Sequence, residues 1–293
     1  MPQRGTAAFV QRGSGMSTDV SLGLLWGAAT HQGARRTLNE DAYLASGSVF
    51  FVADGMGGHD AGEVASAAAV EALRPLLDSD VVGADAVRCR LRTAHDAVRA
   101  IETTPGRGAG TTLTGVVLTG QSGEPYWLVV NLGDSRTYRL ADGELEQVSV
   151  DHSEVQELVD AGRITRAQAA THPRRHVVTR ALGAPEDPDA DFWFLPVHAG
   201  DRLLVCSDGL TGELTDERIE QVLLAEADPQ VAADRLTHEA LTAGGRDNIT
   251  VIVVDATGLT GALESTAPRD GRGRHEDDED TVPRRSPWKG ALS

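Results

Sequence analysis

Short apolar runs alternate with amphipathic stretches along most of the chain, and together they predict both strands and helices. The runs typical of strands are rich in aliphatic residues and end at glycine or charged residues. Other stretches repeat their apolar residues every three or four positions, as one buried face of a helix requires. The predicted strands are residues 22–30, 48–55, 111–120, 125–136, 137–150, 191–197, 201–206 and 248–256. The predicted helices are residues 62–77, 84–102, 153–162, 216–226 and 230–243.

The order of these elements indicates a fold class. Strands cluster along the chain, and Asp142-Gly143 between two apolar runs is typical of a hairpin turn. Helices come in pairs between the strand clusters. This order favours layered α+β architecture over a doubly wound parallel sheet.

Composition divides the chain into three parts. Residues 1–19 carry little apolar content, and we expect a disordered N-terminal extension, with Met16 as an alternative start of the protein. Residues 20–256 hold all the predicted elements and form one domain. Residues 257–293 are rich in Gly, Arg and Pro and contain the acidic block HEDDED, so we expect a disordered acidic tail.

Charge and cysteine content exclude several classes of function. The net charge of −17 argues against nucleic acid or an anionic membrane as partner. The two cysteines, Cys89 and Cys206, form no CxxC motif, so a disulfide framework or zinc site is not expected and a reducing cytoplasm fits. No apolar stretch approaches the roughly 18 residues that a membrane span needs.

The stretch FVADGMGGHDAGE, residues 51–63, runs from a buried strand into a glycine-rich turn. Its glycines do not make GxGxxG, no GxxxxGK follows, and Asp54 would repel a phosphate, so a nucleotide-binding loop is excluded. An acid there suits a cation, and the carbonyl of Gly55 could approach the same ion. Taken alone, an exposed Asp-Gly turn explains the stretch equally well.

Further acids stand at the ends of other predicted strands. They are Asp134 in VVNLGDSR, Asp208 in LLVCSDGL and Asp247 just before the last strand. A further pair of acids, Glu40-Asp41, follows Asn39 at the start of DAYLAS. Acids at equivalent strand ends can meet at one edge of stacked sheets, where they would repel each other. Divalent cations such as Mg²⁺ or Mn²⁺ relieve that repulsion and prefer oxygen ligands, so the pattern predicts a multi-metal site.

The chain resembles a known family through several motifs: GARRTLNEDAY, ADGMGGHDAGEVAS, GTTLTGVVL, NLGDSR, VDHSEVQELVDAGRIT, HPRRHVVTRALG, CSDGL and GGRDNITVIVV. They occur in the order and spacing of the metal-dependent protein phosphatases of the PPM/PP2C type, bacterial branch, over about residues 20–255. The resemblance implies a four-layer αββα sandwich, in which two antiparallel sheets are flanked by helices.

The resemblance also implies ligands for two or three Mn²⁺ or Mg²⁺ ions. Asp54 matches the carboxylate that bridges two ions, and Gly55 offers its carbonyl to the second. Asp208 and Asp247 match ligands of the first ion. Glu40 serves the second ion, and Asp134 with Asp208 matches a third site.

The residues implied for phosphate binding and proton transfer lie nearby. Arg36 matches the arginine that binds the substrate phosphate, and its neighbour Arg35 is the alternative. Asp41 resembles an acid that bonds to metal-bound water. Met56 stands where eukaryotic relatives carry a histidine, and His59 is the candidate general acid in its place. His59 could instead act from behind the ligands or only orient the turn.

The implied function is hydrolysis of phosphoserine and phosphothreonine in proteins, in the cytoplasm, in opposition to a Hanks-type kinase. Residues 152–182 match the family's variable flap beside the active site, in which the role of His176 is left open. Two alternatives also remain at this point. One is a regulatory module of the same fold that binds phosphoproteins without efficient hydrolysis, and the other is a small-molecule phosphatase.

Overall fold

The computed structural model describes residues 3–11, 20–57, 61–79, 81–103 and 108–260. These residues belong to one unit, which extends to Gly261. Two antiparallel sheets form its centre. The first sheet consists, in spatial order, of β1 (Gln3–Gln11), β2 (Val20–His31), β12 (Ile249–Thr260), β11 (Arg202–Cys206), β8 (Arg136–Ala141) and β9 (Glu144–Gln147). The second consists of β10 (Asp191–Pro196), β7 (Glu124–Leu132), β6 (Leu113–Gln121), β4 (Val49–Met56) and β3 (Asp41–Ser46), with β5 (Gly110–Thr111) also paired to β4.

Helices cover the outer faces of both sheets. Against the second sheet pack α1 (Ala61–Leu73) and α2 (Ala84–Arg99). Against the first sheet pack the short α5 (Asp208–Thr211), α6 (Asp216–Ala225) and α7 (Pro229–Ala243). Two further short helices, α3 (Glu154–Asp160) and α4 (Arg166–Ala170), lie between β9 and β10 in the sequence. The layers therefore run helix, sheet, sheet, helix, and the expected α+β sandwich is confirmed.

Strand β4 shows why the sequences of the central strands are continuous apolar runs. Phe50 and Val52 point into the core between the sheets, whereas Phe51 and Ala53 point to the core under α1 and α2. Successive side chains of a strand face opposite sides, and both sides are covered here. An unbroken apolar run is therefore needed to fill two cores at once.

Most predicted elements match the observed ones to within a few residues. The hairpin of β8 and β9 turns at Asp142 and Gly143, whose φ values of 52° and 84° suit a type I′ turn. The short helices α4 and α5 were not predicted, because their four or five residues are too few to show a period.

The expected disorder of residues 1–19 is wrong for residues 3–11, which form β1 and pair with β2 over nine positions. The indole of Trp26 lies over Gly5, where an added Cβ would meet the ring at 2.1 Å. The composition of residues 3–11 does not show that β2 offers a free edge for pairing. It therefore could not predict that these residues form a strand. Residues 1–2 and 12–19 lie outside the described ranges.

The last strand also extends past its predicted end at residue 256. Strand β12 continues to Thr260 and pairs with the start of β2, with a register shift between Thr257 and Leu259. The acidic tail from residue 261 onward lies outside the described residues. Within the described ranges, no helix combines the length and apolar character that crossing a bilayer demands.

Candidate metal centre

Asp54 lies near the end of β4, where its backbone is held on both sides. Its carbonyl accepts hydrogen bonds from the amide of Thr112 (2.9 Å) and the hydroxyl of Thr111 (2.9 Å). Its own amide donates to Oγ1 of Thr112 (3.2 Å). Across the β3–β4 pair, Asp41 stands directly opposite Asp54. The two threonines therefore fix the backbone from which the Asp54 carboxylate projects.

The glycines after Asp54 allow three chain segments to meet. The amide of Gly55 donates to the carbonyl of Glu40 (3.1 Å), and a Cβ on Gly55 would lie 2.1 Å from the carbonyl oxygen of Gly62. A Cβ on Gly62 would in turn lie 2.3 Å from Oε1 of Glu40. Any side chain at these positions would separate Glu40 from Asp54. His59, the candidate general acid, lies outside the described residues.

Asp134 belongs to a tight turn after β7 and is 8% exposed. Gly133 precedes it with φ of 115°, a conformation that favours glycine. The next residue, Ser135, shares a hydrogen bond of 2.8 Å with the hydroxyl of Thr112. The same threonine therefore links the turn of Asp134 to the backbone of Asp54.

Asp208 begins α5, directly after β11. The preceding Ser207 donates a hydrogen bond from its hydroxyl to Oδ2 of Asp41 (2.8 Å) and accepts one from the amide of Thr250 (3.0 Å). Gly209 lies against the carbonyl of Asn248, which a Cβ would approach to 1.9 Å. These contacts bring α5 against the starts of β3 and β12.

Asp247 stands just before β12 and contacts the predicted phosphate-binding arginine. Its Oδ2 accepts a hydrogen bond from Arg36 (2.6 Å), and its Oδ1 accepts one from the amide of Asn248 (2.8 Å). The contact with Asp247 raises the pKa of the Arg36 guanidinium, and the charges of Glu40 and Asp54 add to the rise. The Arg36 side chain remains 48% exposed, so an incoming anion can reach it. Arg35 is exposed, and its positive charge helps to lower the pKa of the Glu213 carboxyl.

Asn248 holds the loop that carries Arg36 and Glu40, a role that sequence reasoning missed. Its Oδ1 accepts a hydrogen bond from the amide of Glu40 (2.8 Å). Its Nδ2 donates to the carbonyls of Gln32 (2.9 Å) and Leu38 (2.8 Å). Its position in the sequence could have indicated this role, because Asn248 is a polar residue that stands between a predicted ligand and the start of a buried strand.

The flap, residues 152–182, is anchored beside Asp134. The backbone of His152 donates to the carbonyl of Gly133 (2.8 Å) and accepts from the amide of Thr179 (2.8 Å). Near the other end, Nδ1 of His176 lies 3.6 Å from Oδ2 of Asp208. The Asp208 carboxylate raises the pKa of His176, whose side chain is 58% exposed. The flap therefore brings an imidazole to the edge of the acidic cluster.

The electrostatics show that the acids converge. Burial raises the pKa of the Asp54 carboxyl well above its usual value, and the carboxylates of Asp41 and Asp208 raise it further. Burial also raises the pKa of Asp41 to about 7 and that of Asp134 to about 7, and Asp208 adds to both rises. Each of these acids lacks enough positive charge nearby to stabilise its ionised form.

The donor set fits hard divalent cations. Carboxylate and carbonyl oxygens are the ligands that Mg²⁺ and Mn²⁺ prefer, and Oδ1 of Asp41 is buried without a hydrogen-bond partner in the described structure. Among the described residues, however, no three acidic, histidine or cysteine side chains already form a coordination sphere. Arg36 and His176 contact Asp247 and Asp208 instead.

The structure thus brings together all the predicted site residues that it describes, namely Arg36, Glu40, Asp54, Gly55, Asp134, Asp208 and Asp247. Their individual roles stay predictions. Cys206 is buried in β11, and burial raises the pKa of its thiol, as expected of a packing residue.

Comparison with known proteins gives consistent matches. The model of the protein phosphatase 2C family matches residues 30–241. The serine/threonine protein phosphatase PstP of Mycobacterium tuberculosis is 42% identical over 243 residues, which cover 80% of this chain and 46% of that protein. The chain therefore spans about half the length of this relative. The serine/threonine phosphatase stp of Listeria monocytogenes is 35% identical, and the match covers 77% of this chain and 93% of that protein. Among solved structures, the catalytic domain of PstP in complex with two manganese ions matches with a TM-score of 0.72 and 39% identity, covering 80% of this chain and 99% of that one.

Proposed function

Because the chain belongs to the protein phosphatase 2C family, we propose that it is a protein phosphatase that depends on Mn²⁺ or Mg²⁺ and hydrolyses phosphoserine and phosphothreonine. The observation that carries this proposal is the convergence of four buried or half-buried aspartates beside an exposed arginine. The aspartates are Asp54, Asp134, Asp208 and Asp247, and the arginine is Arg36.

The residues divide into two groups by chemistry. The carboxylates of Asp54, Asp208 and Asp247, with the carbonyl of Gly55, would hold two cations, and Glu40 and Asp134 would add oxygen ligands at the edge. When bound there, such cations supply an activated water as nucleophile and neutralise phosphate charge. The manganese ions of the PstP catalytic domain support this choice of cation.

Arg36 would bind the equatorial oxygens of the phosphate through charge-assisted hydrogen bonds. Its exposed guanidinium lies within hydrogen-bond distance of Asp247, so a phosphate bound to Arg36 would lie next to a proposed metal ligand. His59 remains the proposed proton donor to the leaving serine or threonine oxygen. No covalent phosphoenzyme is needed, because water is the nucleophile.

We propose phosphoproteins as substrates, since the named relatives are serine/threonine protein phosphatases. An opposing serine/threonine kinase then follows as partner. A cytoplasmic location is consistent with two cysteines that both remain free.

A single-turnover assay on a phosphothreonine peptide, with Mn²⁺ and then with EDTA, tests the proposal. We expect the wild type to release phosphate when Mn²⁺ is present and not in EDTA. The Asp54→Asn variant should release none in either condition. Tight binding of the peptide without phosphate release would favour the regulatory binding module. Turnover of small phosphoesters but not of the peptide would favour the small-molecule phosphatase.

A further inference from the structure

We propose that Glu213 and Arg246 form a brace that positions Asp247 relative to Asp208, and that both are positioning residues for metal binding. The inference rests on the proposed function, in which Asp208 and Asp247 are ligands of one ion. These ligands come from distant parts of the sequence, one at the start of α5 and one before β12. An ion binds tightly when its ligands are held at a fixed separation before it arrives.

Glu213 directs both carboxylate oxygens at Arg246. Nε of Arg246 donates to Oε1 (2.9 Å) and one terminal nitrogen donates to Oε2 (2.8 Å). The backbone amide of Arg246 also donates to Oε1 (2.8 Å). Such paired bonds fix direction as well as distance. Because the amide takes part, the brace holds the main chain of the residue that directly precedes Asp247.

The other end of the brace reaches α5. A terminal nitrogen of Arg246 donates to the carbonyl of Gly212 (3.0 Å), and Gly212 donates its own amide to the carbonyl of Asp208 (2.7 Å). Asp208 begins this one-turn helix, and Gly212 directly follows its last residue as the C-cap. The brace therefore connects the helix that carries one predicted ligand to the residue adjoining the other.

The same turn also supports the loop of Arg36. Gly245, with φ of 54°, accepts a hydrogen bond on its carbonyl from the amide of Ala34 (2.7 Å). Gly33, with φ of 81°, lies so close that a Cβ would meet the carbonyl oxygen of Asp247 at 2.2 Å. Movement of the turn would thus displace Asp247 and Arg36 together.

Burial distinguishes this ion pair from the ordinary surface pairs of the protein. The Glu213 side chain is 3% exposed, while that of Arg246 is 55% exposed. Arg246 lowers the pKa of the Glu213 carboxyl, so the pair stays charged at neutral pH. A buried carboxylate that lost its partner would have to find another, and the turn would shift.

The test uses Glu213→Gln and Arg246→Ala, with Mn²⁺ affinity measured by titration calorimetry. Residues that orient metal ligands typically contribute about 10- to 100-fold to metal affinity, so we expect the Mn²⁺ Kd to rise by about 10-fold or more. Activity should return at saturating Mn²⁺, because no substrate contact is lost. Arg246→Lys should have an Mn²⁺ Kd between those of the wild type and Arg246→Ala, since lysine keeps the charge but loses the paired bonds.

The matched control is Glu239→Gln. Glu239 binds Arg218 through the same paired geometry, at 2.7 Å for both bonds, but joins α6 to α7. Its loss should leave Mn²⁺ affinity unchanged. The brace is refuted if folded Glu213→Gln or Arg246→Ala protein binds Mn²⁺ as tightly as the wild type, even with a lower melting temperature.

The outcomes separate the brace from the proposed function. If Glu213→Gln does not fold, Arg246→Ala and Arg246→Lys decide, because the Arg246 side chain is largely exposed. A wild type that binds Mn²⁺ but hydrolyses no phosphoester removes the phosphatase proposal, and the Kd values still judge the brace. A wild type that binds no Mn²⁺ overturns both.

Discussion

Replacing Asp54 by asparagine keeps the shape of the side chain and removes one charge from the acidic cluster. If Asp54 bridges two cations, Asp54→Asn should lose hydrolysis of every phosphoester. The same change should have the opposite effect on the stability of the metal-free protein, because crowded like charges oppose folding.

The structure sets the size of this effect. Asp54 stands opposite Asp41 in an antiparallel pair, where facing Cβ atoms are about 5 Å apart. Two full charges at about 5 Å repel by roughly 3 kcal/mol at an effective dielectric constant of about 20. Proton uptake by the cluster avoids part of this cost, so we expect about 1–2 kcal/mol. For a domain of this size, each kcal/mol raises the melting temperature by about 2–4 °C.

The effect should depend on pH. Burial and the neighbouring carboxylates raise the pKa of Asp54 well above its usual value, and they raise those of Asp41 and Asp134 to about 7. The folded protein therefore binds more protons than the unfolded chain in the pH range between the usual carboxyl pKa and about 7. The metal-free wild type therefore loses stability as pH rises through this window, and regains it as pH falls. In EDTA, the gain in melting temperature from Asp54→Asn should be largest at the alkaline end of this pH window. The gain should shrink as the pH falls toward the acidic end.

Thermal melts of the wild type and Asp54→Asn, in EDTA and in millimolar Mn²⁺ and at several pH values, measure these differences in stability. Mn²⁺ at about 100 times its Kd should stabilise the wild type by about 2.7 kcal/mol and the variant far less. Asp85→Asn, which alters a fully exposed side chain on α2, is the control and should leave the Mn²⁺ response unchanged. An Asp54→Asn protein that still hydrolyses phosphopeptide, or a wild type indifferent to Mn²⁺, would refute the shared metal site.

Three other changes probe phosphate binding, proton transfer and the first strand. Arg36→Ala should raise KM and lower kcat/KM for a phosphopeptide while Mn²⁺ affinity barely changes, and a larger loss from Arg35→Ala would contradict this assignment. His59→Ala should slow phosphopeptide turnover far more than that of p-nitrophenyl phosphate, whose leaving group needs little protonation; equal losses would exclude the general-acid role. Deletion of residues 1–15 should lower the melting temperature, because it removes β1 from β2 and exposes Trp26, and an unchanged melt would show that β1 contributes nothing.

The parts of the fold that the sequence predicted are those with strong local signals. Strand β4 must fill two cores, so its apolar run is unmistakable, and Asp54 marks the point where the run meets polar surroundings. Asp134 and Asp208 follow apolar runs in the same way, and Asp247 directly precedes one, which is why their convergence was predictable. The turn at Asp142-Gly143 was predictable because its backbone conformation demands those residues.

What escaped prediction depends on partners distant in the sequence. Strand β1 exists because β2 offers it an edge, and nothing in its own composition shows that. Thr112 and Asn248 act by bonding to the main chain of Asp54 and of the Arg36 loop, so ordinary polar residues acquire importance through contacts alone. The contact between Arg36 and Asp247 likewise joins residues 211 positions apart.

The glycine turn has a consequence for how this protein could diversify. A Cβ on Gly55 would meet the carbonyl oxygen of Gly62, and a Cβ on Gly62 would meet the carboxylate of Glu40, so neither position accepts a side chain unless a neighbour moves. Mutation there cannot alter the site gradually, because even alanine would push Glu40 away from Asp54. Any change in substrate preference during evolution must therefore arise elsewhere, and the exposed flap around His176 is where substitutions would be tolerated. The same division would guide directed evolution, in which libraries should vary the flap and leave the turn intact.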